Sequence, residues 1–162
     1  MTRLILIRHA KSSWDAPMDD HARSLNDRGR TSALALGRWL SEQGYVPELV
    51  IASDARRTEE TARRIIAALP EEERPELRLS GKLYNAGPEA LYQAAKAAEA
   101  KSVALIAHNP GIGLLASCLL AEPPAHEGFD HYPTGATTVI DFDGPIAREG
   151  GRCTDFVVPR EL

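Results

Sequence analysis

The chain has few cysteines and no long apolar stretch. Cys118 and Cys153 are its only cysteines, and they lack the paired spacing of a metal site or a redox motif. Both are expected to be reduced structural thiols, which is typical of a cytoplasmic protein. No segment approaches the roughly 20 apolar residues of a membrane-spanning helix, and the residues after Met1 lack the pattern of a secretion signal. The sequence therefore predicts a cytoplasmic protein without a membrane partner.

An excess of positive charge is also absent. The formal net charge is -4 at pH 7, so binding to nucleic acid gains no general electrostatic support. Two motifs are missing as well, the Gly-x-x-x-x-Gly-Lys loop that binds nucleoside triphosphates and the Gly-x-Ser-x-Gly elbow of serine hydrolases. Nucleic-acid partners, nucleoside-triphosphate chemistry and serine-hydrolase chemistry are therefore not expected.

Strand-like and helix-like segments alternate along the chain, and its 162 residues with 43% hydrophobic content fit one domain covering residues 1–162. Such alternation is typical of a mainly parallel sheet with helices on both faces. We predict a single three-layer α/β/α domain with an antiparallel edge strand. Predicted strands cover residues 4–7, 48–52, 77–79, 102–107, 137–142 and 154–158, and predicted helices lie at residues 27–43, 57–69, 88–100 and around 114–119.

Charged or titratable side chains follow three of the predicted strands, at the point where each strand ends. Arg8 and His9 follow the first strand, Ser53 and then Arg57 follow the second, and His108 follows the fourth. Ligands of open α/β sheets bind at the carboxyl ends of the strands, so these groups are expected to converge. Two histidines and two arginines repel one another unless an anion lies between them. Phosphate suits them best, because arginine binds its oxygens bidentately.

A metal site is the competing interpretation of the two histidines. Zinc requires three or four ligands at recognisable spacing, whereas the partners of His9 and His108 are arginines, which repel a cation. We therefore predict no metal and no cofactor, and we expect inorganic phosphate or sulfate to bind in the pocket.

Several motifs, in this order along the chain, resemble those of the histidine phosphatase (phosphoglycerate-mutase-like) superfamily. The small size and two further segments are similar to its SixA-like phosphohistidine phosphatase branch. The superfamily motifs are Arg8-His9-Ala10, Ser53-x-x-x-Arg57-x-x-Glu60-Thr61-Ala62 and His108, and the two branch-like segments are Arg8–Trp14 and Pro133–Ala136.

The resemblance implies a role for each matching residue. His9 corresponds to the nucleophile that accepts the phosphoryl group, and His108 to the second histidine, which stabilises the group during transfer. Arg8 and Arg57 correspond to the phosphate-binding arginines. Asp15 falls where many relatives place a polar residue of the phosphate-binding loop. The implied enzyme is a cofactor-independent hydrolase that forms a covalent phosphohistidine intermediate.

Two positions leave alternatives open. Arg56 precedes Arg57, and a shift of one residue would exchange their roles, although counting back from Thr61 favours Arg57. The acid of the larger relatives would fall at Asn85, and an amide cannot protonate a leaving group. Glu89 and Asp15 are possible substitutes, although Glu89 fits the first turn of a helix better.

The absence of that acid favours a phosphohistidine on a protein as the substrate, because imidazole is a weakly basic leaving group with a parent pKa near ~6.5. Two alternatives remain at this point. The chain could be a phosphatase for a small phosphorylated metabolite, or a phosphoprotein- or anion-binding module that lacks turnover.

Overall fold

The computed structural model describes residues 1–15 and 17–162. Within them, the sheet consists of β1 (Thr2–Arg8), β2 (Leu49–Ser53), β3 (Glu76–Ser80), β4 (Ser102–Ala107), β5 (Thr137–Phe142) and β6 (Arg152–Val157). The strands lie in the order β3-β2-β4-β1-β5-β6. The first four in this order pair in parallel, and β5 runs antiparallel to both of its neighbours. The predicted antiparallel pairing is thus confirmed at one edge of the sheet.

Helices cover both faces of the sheet. The first begins after Asn26, whose side chain accepts a hydrogen bond from the backbone N–H of Gly29, and it ends at Gly44 in the left-handed conformation. Both ends agree with the sequence signals. The helices are α1 (Asp27–Gln43), α2 (Arg56–Ala67), α3 (Pro88–Ala97), α4 (Gly111–Leu119) and the short α5 (Gly128–His131), which lies outside the predicted strands and helices.

The central strand β1 separates two hydrophobic cores. Leu4 and Leu6 contribute to the core beneath α3 and α4, whereas Ile5 and Ile7 contribute to the core beneath α1 and α2. All four side chains are fully buried, because successive residues of a strand point to opposite faces and both faces are covered. The predicted three-layer α/β/α architecture is confirmed.

The sheet order brings the ends of three strands together. Strand β4 lies between β1 and β2 and is parallel to both, so the carboxyl ends of the three strands meet at one edge. The charged and titratable side chains that follow these strands in the sequence therefore lie at this edge. Within the described part of the chain, no helix has both the length and the apolar character required to cross a membrane.

Candidate active site

The residues from the three strand ends line one cavity of about 230 Å³. It contains both histidines, with ring centroids 5.2 Å apart, and the two arginines that the sequence singled out. The described residues that line it are Arg8, His9, Lys11, Ser12, Trp14, Arg23, Arg57, Asn85, His108, Asn109 and Thr134.

His9 is held in one orientation by the backbone. Its Nδ1 lies 2.8 Å from the carbonyl oxygen of Ala10, and only a protonated Nδ1 can donate to a carbonyl. The lone pair of a neutral imidazole is then on Nε2. This geometry fixes the tautomer of the ring and leaves Nε2 available as a nucleophile.

The surroundings of His9 keep its ring neutral. Its side chain is nearly buried, and burial lowers its pKa to about 3, with further lowering by His108, Arg57 and Arg8. A neutral ring is the form that can attack phosphorus at physiological pH. The same positive surroundings stabilise a negatively charged phosphoryl group when it binds to this ring.

His108 is positioned between α2 and the end of β2. Its Nε2 lies 2.8 Å from the hydroxyl of Ser53, and its Nδ1 lies 3.4 Å from the Nη2 of Arg57. Burial and the charge of Arg57 lower its pKa to about 4. A bound phosphoryl anion reverses the effect of the neighbouring charges, so the ring can gain a proton and donate to the anion.

Arg8 and Arg57, two of the three arginines that line the cavity, each have a donor group without a partner among the described residues. Arg57 is 3% exposed, and its buried Nε has no hydrogen-bond partner among the described residues, which is also true of the Nε of Arg8. One terminal nitrogen of Arg8 donates to the carbonyl of Tyr132 at 3.0 Å. Burial and the charge of Arg57 lower the pKa of Arg8. Buried guanidinium donors without a protein partner favour an anion as the ligand.

The main carboxylate contact of Arg57 is a residue that the sequence analysis missed. The two terminal nitrogens of Arg57 donate to Asp20, one to its backbone oxygen at 2.7 Å and one to its carboxylate at 3.0 Å. The same carboxylate accepts from Arg23 and from the hydroxyl of Tyr84. These contacts hold the pKa of Asp20 at about 2. The loop between β1 and α1 contains three aspartates, at positions 15, 19 and 20, and no sequence pattern distinguishes them.

The other candidate residues differ in whether they line the cavity. Asp15 is exposed and does not line it. The side chain of Arg56 is 62% exposed and pairs with Glu60, so Arg57 is the arginine that faces the histidines. Asn85 lines the cavity with a positive φ of 53°, a conformation that asparagine tolerates. Glu89 lies in the first turn of α3.

Backbone contacts connect the segments around the cavity. Thr61 of α2 accepts from the N–H of Ala10 and donates to the carbonyl of Arg57, which joins the helix to the end of β1. The N–H of Gly135 lies 3.1 Å from the carbonyls of both Arg8 and His9. Its φ of 78° is in the left-handed region, and a Cβ at this position would lie 2.4 Å from the Cγ of Pro159, so glycine suits it. The Pro133–Ala136 segment thereby closes one wall of the site.

An exposed aromatic ring lies at the mouth of the cavity. Trp14 is 74% exposed, and the guanidinium of the buried Arg23 lies 3.5 Å from the centroid of its ring. Arg23 also donates to the hydroxyl of Ser12 and to the carbonyl of Ser13. Stacking on this cation holds the ring without covering its outer face.

Comparisons with known proteins agree with this geometry. Residues 4–79 match the family model of the histidine phosphatase superfamily (branch 1). A structure from Agrobacterium tumefaciens, provisionally named phosphohistidine phosphatase SixA, has 28% sequence identity and a TM-score of 0.80, with 98% of each chain covered. The structure of the protein histidine phosphatase SixA complexed with tungstate has a TM-score of 0.74 at 23% identity, with 99% of each chain covered.

A sequence relative covers a smaller part of the chain. An uncharacterized chloroplastic protein of Arabidopsis thaliana is 46% identical over 66 residues, which are 40% of this chain and 30% of that protein. The chain therefore spans less than a third of that relative's length in the match.

The fold and the cavity together define an α/β protein with two histidines and two arginines at the carboxyl edge of its parallel strands. The chain is similar to the histidine phosphatase superfamily, whose model matches its residues 4–79, as its motifs predicted. Solved structures of SixA-type phosphohistidine phosphatases are among those with a similar fold.

Proposed function

We propose that this protein hydrolyses phosphohistidine on a protein substrate through a covalent phosphohistidine at His9. The observation that supports this most is the composition of the cavity. A neutral, oriented histidine and several cationic donors line it, and the described lining residues include no carboxylic acid. The cavity is therefore suited to positioning and charge stabilisation more than to proton donation.

In the first step, the Nε2 of His9 attacks phosphorus in line with the bond to the leaving imidazole. The P–N bond of the substrate breaks as the new P–N bond forms. Arg8 and Arg57 bind the phosphoryl oxygens, and His108 donates to them once the anion has raised its pKa. The bond that breaks and the bond that forms are of the same type, so this transfer is close to balanced in energy.

In the second step, water attacks the phosphoryl group on His9. The P–N bond breaks, inorganic phosphate leaves, and His9 returns to its neutral form with its Nδ1 still bonded to Ala10. The same arginines stabilise the charge in both steps. The complete cycle therefore uses one set of phosphate-binding residues and needs no cofactor.

The leaving group decides between the substrate classes. An alkoxide is strongly basic and needs a proton from the enzyme, whereas imidazole can leave after taking a proton from solvent. Asp20 is the carboxylate that contacts Arg57, and its pKa of about 2 keeps it ionised. Asp20 is therefore not a proton donor, which favours the P–N substrate over a small phosphomonoester.

The direct test is a series of substrates with leaving groups of graded pKa. We expect single-turnover rates on a phosphohistidine protein and on p-nitrophenyl phosphate to exceed those on sugar phosphates by orders of magnitude. The difference is expected in the rate of transfer, because the same groups bind each phosphoryl group. Equal rates for all leaving groups would contradict the proposal and favour a metabolite phosphatase. Release of one equivalent of leaving group, with the phosphoryl group retained and no turnover, would favour the binding module.

A substitution at Asn85 tests the same point from the side of the enzyme. Aspartate tolerates the positive φ of this position better than glutamate does, so Asn85→Asp introduces a carboxyl group with little strain. We expect it to raise turnover of alkyl phosphates relative to phosphohistidine. Asn85→Ser is the matched variant without an acid, and an equal gain in both variants would contradict the interpretation.

A further inference from the structure

A second, larger concavity adjoins the catalytic cavity. It has a volume of about 420 Å³ and shares Lys11 and Thr134 with the cavity, so the two are continuous. We call it the basic groove. Its described lining consists of Lys11, Arg28, Ser32, Glu127, Gly128, His131, Pro133, Thr134, Val158, Pro159 and Arg160.

The groove has an apolar floor and a cationic rim. Pro133, Val158 and Pro159 contribute apolar surface, with Val158 buried. Lys11 and Arg28 are exposed, and neither has an ion-pair partner among residues 1–15 and 17–162. The third cation, Arg160, pairs with Glu127 at 2.9 Å. Two unpaired cations remain on one side of the groove in a protein whose net charge is -4.

Backbone contacts join the two segments that carry the unpaired cations. The carbonyl of Lys11 accepts from the N–H of Asn26, the residue that caps α1. A side chain at position 29 would lie 2.1 Å from that carbonyl, so Gly29 permits the close approach. Lys11 follows β1 and lines the cavity, and Arg28 lies in the first turn of α1. The positive surface thus begins at the phosphoryl site and extends away from it.

We infer that the basic groove binds a polypeptide segment with acidic side chains next to the phosphorylated histidine of the substrate. This inference rests on the proposed function. The cavity holds the phosphoryl group and the imidazole, and an extended chain that leaves them advances about 3.3 Å per residue into the groove. Side-chain carboxylates on that chain complement Lys11 and Arg28, and their aliphatic stems cover the apolar floor.

The test compares two phosphohistidine peptides that differ only in charge. One has aspartate and glutamate beside the phosphohistidine, and the other has asparagine and glutamine at those positions. We expect the acidic peptide to have an about fivefold lower KM at low ionic strength, and salt to abolish the difference. Similar kcat values are expected, because the groove does not contact the reacting atoms.

Arg28→Glu is the informative variant. Glutamate in the first turn of a helix is favourable, so the fold is expected to tolerate it. The ratio of kcat/KM for the acidic peptide to that for the amide peptide should fall about tenfold, which reverses the preference. Arg38→Glu makes the same change on an exposed residue of the same helix outside the groove and should keep the ratio of the wild type. Equal ratios in the wild type and in Arg28→Glu would overturn the inference.

A second measurement separates this inference from the proposed function. Unphosphorylated acidic peptide is tested as a competitor of p-nitrophenyl phosphate hydrolysis, which requires no activity on phosphohistidine. We expect it to inhibit the wild type more strongly than its amide counterpart and to lose that advantage in Arg28→Glu. Equal inhibition by both peptides would overturn the groove assignment. So would a phosphoglycerate that competes as strongly as the peptide, because the groove would then hold the second anionic group of a metabolite.

Discussion

The catalytic cavity and the basic groove are neighbours, yet they are built in opposite ways. The groups in the cavity are buried and held by other residues: His9 by Ala10, His108 by Ser53, and Arg57 by Asp20. The cations of the groove are exposed, and Lys11 and Arg28 have no ionic partner in the described structure. One region fixes the geometry of a reaction, and the other supplies charge without fixed geometry.

This difference predicts different consequences of mutation. Buried donors that are fixed in advance stabilise a transition state without reorganisation, so their loss affects every substrate. Exposed charges act at a distance and through water, so their loss affects the binding of charged partners and depends on salt. Four predictions test whether the groups of the cavity are fixed as described, beginning with the largest expected effect.

The largest effect is expected at the nucleophile. His9→Ala should lower kcat by about four orders of magnitude or more on every substrate, because no phosphoenzyme can form. His126→Ala is the control, since this histidine pairs with Glu161 outside both regions. Trapping with labelled substrate should give acid-labile, base-stable label on the wild type and none on His9→Ala. Such label on the variant would place the nucleophile elsewhere.

The next effect distinguishes the adjacent arginines. Arg57→Ala should lower kcat by about 100-fold to 1000-fold, because a buried phosphate donor is lost. Arg56→Ala removes an exposed side chain that pairs with Glu60, and it should change kcat less than about threefold. Initial-rate kinetics on p-nitrophenyl phosphate measures both. A larger loss in Arg56→Ala would reverse the assignment made from the spacing to Thr61.

The sequence allowed the cavity to be predicted because its main residues follow strand ends. Apolar runs identify strands, parallel strands place their ends at one edge, and charged residues at those ends therefore converge. Arg8, His9, Arg57 and His108 could be named on this basis together with the family motifs, and the structure brings them together. The overall α/β/α architecture followed from the same alternation.

Other features depend on tertiary structure that no local pattern reports. The contact between Asp20 and Arg57 forms because a loop folds back over α2, and three aspartates in that loop are equivalent in sequence. The basic groove combines α1, the short α5 and the C-terminal residues, which are distant in the chain. Its charges could be counted from the sequence, but their proximity could not.

The burial of His9 predicts that the stability of the folded protein depends on pH. The pKa of His9 is about 3 in the folded state, against ~6.5 for an unperturbed histidine. The unfolded chain therefore binds a proton first as pH falls, so the group costs stability below pH ~6.5, and the whole penalty is reached below the folded pKa. Between pH 7 and pH 5 we expect a loss of about 2 kcal/mol from this residue.

Denaturant unfolding at both pH values measures this loss. His9→Gln should lose about 2 kcal/mol less than the wild type between pH 7 and pH 5. His131→Gln alters an exposed histidine at the rim of the groove and should behave like the wild type. Identical pH dependence in wild type and His9→Gln would mean that the ring is not held neutral by its surroundings.

The smallest effect concerns Asp20, which contributes a negative charge beside a site for an anion. Two opposite consequences follow from its position. Its carboxylate orients Arg57 through a 3.0 Å hydrogen bond, but it also repels the phosphoryl group. Its pKa of about 2 reflects hydrogen bonds from Tyr84, Arg57 and Arg23, which stabilise the ionised carboxylate where it is. We therefore expect orientation to outweigh repulsion, and Asp20→Asn to lower kcat about tenfold, or about 1.4 kcal/mol, while KM stays the same or falls.

A double-mutant cycle shows whether this effect acts through the arginine. In the Arg57→Ala background, Asp20→Asn should have little further effect on kcat, because the side chain that it orients is gone. Asp19→Asn changes a neighbouring aspartate whose side chain does not contact Arg57, and it should resemble the wild type in both backgrounds. A rise in kcat in Asp20→Asn would mean that repulsion dominates and that the loop acid competes with the substrate for Arg57. Additive losses would mean that Asp20 stabilises the loop without orienting Arg57. In that case, Asp20 would not be one of the contacts that fix the charged groups of the cavity.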